Sequence, residues 1–238
     1  MQSVHESELY FVESMDVNWG EFDIVECELD MLRFARSKQR YSYYHLISGQ
    51  DFPLKPIQEI NEFYNKSDCS YVLFGDAENA IRKRYGKLTV WVSKKQNKYL
   101  WMVYNLYNWL IRRHLITLRL KRLDYGFGSQ WFDITDELAE AVTSEEAVKW
   151  FNKNCHDSCI PDELFLQSFI NYFGFKDKVH RHNMRYIDFE RNNGINPYIF
   201  RKNDYEQLIS SGMNFARKFD ETVDDEILDM LEKHNIST

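Results

Sequence analysis

Proline and glycine are scarce in this chain, 4 and 9 residues of 238, and no stretch is rich enough in them to read as a low-complexity linker. General disorder is excluded as well, because 44% of the residues are hydrophobic and 28% charged. Positive charge is in deficit. The net charge of −7 argues against sequence-independent nucleic-acid binding, whose affinity comes from excess Lys and Arg. Cysteine, with 4 residues, is too sparse for a disulfide framework. Cys155 and Cys159 flank His156, but no second ligand pair follows at zinc-site spacing, so no metal site is expected. Long apolar runs are missing too. The longest, Tyr99 to Ile111, is interrupted by Asn105 and Asn108 and is too short to cross a bilayer. With no secretory leader at the start, the expectation is a soluble, cytoplasmic protein.

Aromatic residues are what the chain has in excess: 17 Phe, 15 Tyr and 6 Trp, 16% in all. Much of this is core, but Tyr and Trp also suit sugars, whose C–H faces stack on rings. Cations cluster at Arg82–Lys83–Arg84 and along Arg112, Arg113, Arg119, Lys121 and Arg122. The second run interleaves with Leu115, Ile116, Leu118, Leu120 and Leu123. It reads either as a solvated face or as a peripheral contact with an anionic membrane.

Strand-like and helix-like segments alternate in the first half. Leu9–Glu13, Tyr43–Ser48 and Tyr71–Phe74 read as strands, Ile24–Lys38 and Pro56–Tyr64 as helices. That order predicts an α/β fold with a mostly parallel central sheet flanked by helices, and the loop Gly49–Pro53 falls at a strand end, where such sheets bind ligands. A charged excursion from Asp76 to Lys98 with a β-like piece, Leu88–Val92, precedes a long helix carrying Trp101, Tyr104 and Trp109. A Gly-broken segment, Tyr125–Phe132, then leads to helices over Asp136–Val142 and Glu145–Asn152. Pro161 is placed to start a further helix, Met184–Phe189 reads as a late strand, and helices begin near Asn203 and close the chain. One domain over 1–238 is the economical reading, with about one opening βα unit absent.

Two segments carry chemistry. In Pro161-Asp162-Glu163 two carboxylates stand at a helix start, where the positive field keeps them ionised. An ionised carboxylate can take a proton from an attacking hydroxyl; ordinary helix capping is the blander reading. In Phe215-Ala216-Arg217-Lys218-Phe219-Asp220, adjacent cations can neutralise a diphosphate, Lys as a point charge and Arg as a fork. No two Asp residues are separated by a single residue, so the metal-holding Asp-x-Asp of most nucleotide-sugar transferases is missing. Without a metal, cations must stabilise the leaving phosphates.

Several segments together resemble one family. Tyr43 to Ile60, with Leu46-Ile47-Ser48-Gly49-Gln50-Asp51-Phe52-Pro53-Leu54-Lys55, is similar to the signature of the core-2/I-branching β-1,6-N-acetylglucosaminyltransferases, which also include the peptide O-xylosyltransferases. Val17-Asn18-Trp19-Gly20 stands before it. Gly128-Ser129-Gln130-Trp131-Phe132, Pro161-Asp162-Glu163 and Phe215–Asp220 follow in the family's order. The resemblance implies a GT-A-like fold, a UDP-sugar donor, a glycan acceptor, inversion at the anomeric carbon and no metal or other cofactor. It implies Glu163 as catalytic base and Lys218 as donor-phosphate ligand. Arg201, Arg217 and Arg185 are alternatives for the phosphate-binding Arg, which a simple alignment replaces by Ile195. Asp51, Trp131 and Asp162 are placed in the sugar or acceptor pocket. The family's acceptor-binding charges have no counterparts around Asp76–Arg84. UDP-N-acetylglucosamine is the expected donor and a surface-polysaccharide precursor the acceptor. UDP-xylose, or a degenerate protein that only binds carbohydrate, is the alternative.

Overall fold

Helix α1, Asp23–Lys38, forms where charge and apolar spacing agree. Asp23 and Glu26 lie in its first turn and Arg36 and Lys38 in its last, each opposite in sign to the nearby end of the helix dipole. Val25, Leu29 and Leu32, on one face, are buried. The turn before it is closed by Asp23, whose Oδ2 accepts from the Asn18 backbone N–H and from Asn18 Nδ2, both at 2.9 Å.

The structure, a computed structural model, describes residues 7–75, 99, 102–103, 106, 109–110, 125–156, 158–194 and 196–237. The cation clusters Arg82–Arg84 and Arg112–Arg122, the expected strand-like piece Leu88–Val92, the residues Trp101 and Tyr104 of the expected long helix, and Ile195 lie outside the described residues. Residues 99, 102, 103, 106, 109 and 110 are helical. Among the described residues no helix is long and apolar enough to cross a membrane.

The chain divides into two compact units, Met1–Tyr41 with Gly75–Gln130 and Glu137–Phe175, and Ser42–Phe74 with Trp131–Asp136 and Lys176–Thr238. The described residues of the first are largely helical. Besides α1 it holds Glu145–Asn154, capped by Ser144, whose side chain accepts from Ala147 N–H at 3.2 Å, and Phe165–Tyr172. Phe165 to Ile170 are all buried, so this helix lies inside its unit, and Phe151, Phe165 and Phe169 pack edge-on or tilted. Leu9–Glu13 is not a strand. Leu9 and Phe11 are 56% and 70% exposed, and its alternation finds no described sheet edge to pair with; a lone extended segment in water gains too little to hold.

The second unit carries two sheets. In one the strand order is β1-β4-β3-β5, with β1 Tyr43–His45, β3 Ser70–Phe74, β4 Gly128–Thr135 (of which Trp131–Thr135 belong to this unit) and β5 Val179–His180. In the other it is β2-β7-β6, with β2 Asp51–Pro53, β6 Arg185–Ile187 and β7 Phe215–Arg217. The α/β class holds, compatible with the GT-A-like architecture, and the pairing is mixed. β3–β5 and β6–β7 run parallel; β1–β4 (Tyr44 opposite Ile134) and β2–β7 (Phe52 opposite Ala216) run antiparallel. The reason is topological. β4 and β7 arrive from distant sequence, and β4 enters between β1 and β3, so the βαβ neighbours are not sheet neighbours. Helix α2, Ile57–Asn65, joins β2 to β3 and buries Ile60 and Tyr64. A core of Leu54, Phe200, Leu208, Ala216, Phe219, Ile227 and Leu231 is completed by the helices Tyr205–Ser210 and Glu226–Ser237.

Two expectations change here. The loop Gly49–Pro53 is strand from Asp51 onward, and the basic patch of the tail is β7, the inner strand of its sheet.

Candidate active site

In the second unit the antiparallel register sets Asp51 opposite Arg217. The Asp51 carboxylate is buried. Its Oδ2 accepts from the Ser48 N–H at 2.6 Å, from Ser48 Oγ at 2.6 Å and from Arg217 Nη1 at 3.1 Å. Arg217 Nη1 also donates to Ser48 Oγ at 2.5 Å. The guanidinium carbon stands 4.3 Å from the Trp131 ring centroid, a cation–π stack. Asp51, Trp131 and Arg217, far apart in sequence, are therefore one cluster. Asp51 Oδ1 is buried and has no hydrogen-bond partner among the described residues.

Lys218, the next residue, is half-buried, and its amine makes no ion pair or hydrogen bond among the described residues. Beyond it Asp220 is capped onto Thr222; those bonds, with the charge of Lys218, hold its carboxyl below the usual range. The Phe200 N–H donates to the Lys218 carbonyl at 2.9 Å. This brings Arg201 to the turn beside β7, where its N–H donates to Asp204 Oδ2 at 2.8 Å and its side chain is exposed.

The three alternatives for the phosphate-binding Arg thus differ sharply. Arg185 is fully buried, its Nη1 donating to Asp133 Oδ2 at 3.0 Å and its Nη2 to Asp133 Oδ1 at 2.8 Å. It also bonds the carbonyls of Asn183, Leu46 and Phe132. Arg185 therefore ties β1, β4 and β6 together and is unavailable to a ligand. His45 Nδ1 and Tyr64 OH complete the shell of Asp133, at 2.8 and 2.6 Å. Burial pushes the Asp133 carboxyl up, but Arg185 and His45 outweigh it and hold it below the usual range. Tyr64 is pushed far up, by burial first and then by Asp133. Arg217 already has Asp51 as counter-ion, and Arg201 is open.

In the first unit Pro161–Glu163 is a turn of 3-10 helix, and the α-helix starts only at Phe165. The expected helix start at Pro161 is corrected by the backbone. Ile160 is left-handed (φ 56°) and donates its N–H to the Gly20 carbonyl at 3.1 Å; Leu164 (φ −127°) breaks the helical path after the turn. The carboxylates still stand just before a helix N-terminus. Asp162 is only 7% exposed, so a diffusing sugar finds little of it to touch. Glu163 is half-buried.

Sequence reasoning missed Glu28. It is 2% exposed, and its Oε1 accepts from Gln130 Nε2 at 2.6 Å. Burial pushes this carboxyl well above the usual range, the Gln130 bond opposes the rise, and the Asp162 charge adds to it. The signal was present: Glu28 stands on the face made by Val25, Leu29 and Leu32, where an amphipathic helix carries apolar residues. The neighbouring segment is tightly built. A Cβ on Gly126 would lie 2.5 Å from Gln167 Cβ and 2.6 Å from its carbonyl carbon, so only glycine fits. The Gly126 N–H donates to Ser168 Oγ at 3.0 Å.

The sequence profile of the Core-2/I-Branching enzyme family matches residues 3–209. Two curated relatives are both named Xylosyltransferase sqv-6. That of Caenorhabditis briggsae is 23% identical over 243 residues, and that of Caenorhabditis elegans 24% identical over 242. Each alignment covers 92% of this chain but 29% of the relative. The chain therefore spans under a third of the length of the curated relatives it matches.

Proposed function

The chain belongs to the Core-2/I-branching enzyme family, and we propose from this that it transfers a sugar from a UDP-activated donor to a hydroxyl of a glycan or surface-polysaccharide precursor, with inversion and without a metal ion. Glu163 takes the proton of the acceptor hydroxyl as that oxygen attacks the anomeric carbon. The bond from that carbon to the UDP oxygen breaks in the same displacement, and UDP departs with the electron pair. A positioned base of this kind contributes about 10²–10⁴-fold. Lys218 meets the leaving diphosphate, whose charge grows as the bond breaks, and the exposed Arg201 lies at the neighbouring turn. Arg217, paired with Asp51, shapes the site and stacks on Trp131 rather than meeting the phosphates as a free cation. Trp131 suits the C–H face of a sugar.

The observation that carries this reading is the family match over residues 3–209, within which Glu163 falls. Lys218 follows in the family's order, its amine in no ion pair among the described residues. N-acetylglucosamine is the sugar we assign. Xylose is the second reading, favoured by the names of the two relatives. The test is UDP release with UDP-N-acetylglucosamine and UDP-xylose, over a panel of glycan acceptors, with and without EDTA. Transfer that survives chelation and falls at least about a hundredfold in Glu163→Gln is expected. Loss on chelation with rescue by manganese removes the metal-free mechanism, and full activity of Glu163→Gln removes the base.

A further inference from the structure

A carboxylate on the apolar face of a helix, in a place a leucine would fill, costs stability unless a cation or several hydrogen bonds meet it. Among the described residues Glu28 accepts a single side-chain hydrogen bond, from Gln130 at 2.6 Å. Its Oε2 is buried and has no hydrogen-bond partner among the described residues. What lies around it gives such a residue a purpose. Helix α1 packs on the turn Pro161–Glu163, and just ahead of α1 the Gly20 carbonyl holds the Ile160 N–H. Gln130, the partner of Glu28, follows Ser129, whose carbonyl accepts from Gln167 Nε2 at 2.8 Å. Gln167 belongs to the helix that begins two residues after Glu163. The turn is thus bracketed, by α1 before it and by the 126–130 segment on the helix after it. The Glu28–Gln130 bond joins the two brackets.

We propose that Glu28 is a positioning residue for the Glu163 carboxyl, acting through Gln130 and through the packing of α1 on the Pro161–Glu163 turn. This rests on the reading of Glu163 as the base. Glu28 touches no substrate in this scheme; it orders the turn that presents Glu163.

The test uses the full chain with Glu28→Gln, Glu28→Leu and Gln130→Leu, and Glu163→Gln as control. Two quantities are read: amide hydrogen exchange over residues 158–165, and turnover with the UDP-sugar and acceptor. Both leucine variants are expected to raise exchange in the turn about tenfold or more and to lower kcat by a similar factor, with donor KM and UDP affinity within about threefold. Glu28→Gln keeps an oxygen that accepts from Gln130 and restores most of both. The double leucine variant loses no more than either single one, because one bond carries the effect. If both leucine variants keep wild-type exchange and kcat while Glu163→Gln is inactive, the positioning role is wrong and the base stands. If Glu163→Gln is active, the base reading fails by itself, and the exchange data alone decide whether Glu28 orders the turn. Should Glu28→Leu fail to fold, Gln130→Leu, at a half-buried site, distinguishes the same outcomes. A uniform loss of protection that includes β7 marks a general stabilising role and overturns the proposal.

Discussion

Asp133 in the second unit and Glu28 in the first are both almost wholly shielded from water, and their surroundings treat them in opposite ways. Asp133 receives two bonds from Arg185 and one each from Tyr64 and His45, so its charge is matched and it stays ionised. Glu28 receives one bond from a neutral amide and has the Asp162 carboxylate nearby, so its environment favours the proton. The first arrangement is a bolt across three strands. The second is a buried acid beside the turn that carries Glu163, met among the described residues by a single side-chain hydrogen bond from a neutral amide. The difference teaches where to look for function: a buried charge fully answered by partners points to architecture, and one left half-answered points to a site.

The hardest test of this contrast is Arg185→Met. Removing the cation leaves Asp133 charged and buried, and a loss of about 3–5 kcal/mol in unfolding free energy is expected, read by urea denaturation. A loss below about 1 kcal/mol would mean that Asp133 simply takes a proton, and the two acids would then be alike.

Lys218 and Arg217 repeat the contrast among cations, since Arg217 is ion-paired with Asp51 and Lys218 makes no ion pair among the described residues, only a longer-range interaction with Asp220. Lys218→Ala is expected to lower turnover about 10²-fold and to weaken UDP binding, and Lys218→Arg to recover only part of it. Calorimetry with UDP beside turnover checks this; unchanged values in both remove Lys218 from the site.

The pH dependence of stability separates the two acids directly. For Asp133 the folded pKa is depressed, so its contribution is present above the unfolded value near 3.9 and is lost as pH falls through the folded one. For Glu28 the folded pKa is raised. Its contribution is complete below the unfolded value near 4.3 and is lost as pH rises through the folded one, by about 1.4 kcal/mol per pH unit. Glu28→Gln should match the wild type near pH 4 and become the more stable of the two as pH rises. Parallel stability curves would show that Glu28 ionises in the folded protein as freely as in the unfolded chain.

The smallest effect expected is at Ser144, outside both clusters. Ser144→Ala removes the cap on Glu145–Asn154 and should cost about 1 kcal/mol without altering turnover, which thermal melting with an activity assay will show.

Much of the local structure is legible in the sequence. The helix from residue 24 to Lys38, the helix over 57–64, the late strand around Arg185–Ile187 and the closing helix all follow from apolar spacing and charge placement that act within one turn or one pleat. Leu9–Glu13 alternates without forming a strand, because alternation announces a strand only where an edge is available to pair with. Asp51–Pro53 and Phe215–Arg217 look like a loop and a basic patch for the converse reason. Each is three residues long, and each is a strand only because the other lies beside it.

The sequence by itself determined the α/β class, the family and the order of its motifs, because these depend on residue type and short spacing. It also placed Glu163 and Lys218 as the residues to test. Only the tertiary structure decided what each charge does. Arg185 is a bolt because β1, β4 and β6 close around it. Arg217 is paired because the β2–β7 register sets Asp51 opposite. Glu28 is a buried acid because Gln130 and Asp162, about a hundred residues or more along the chain, pack against the face of α1 it occupies. A side chain's ionisation and reach depend on neighbours within a few ångströms, and in this chain most of those neighbours are distant in sequence.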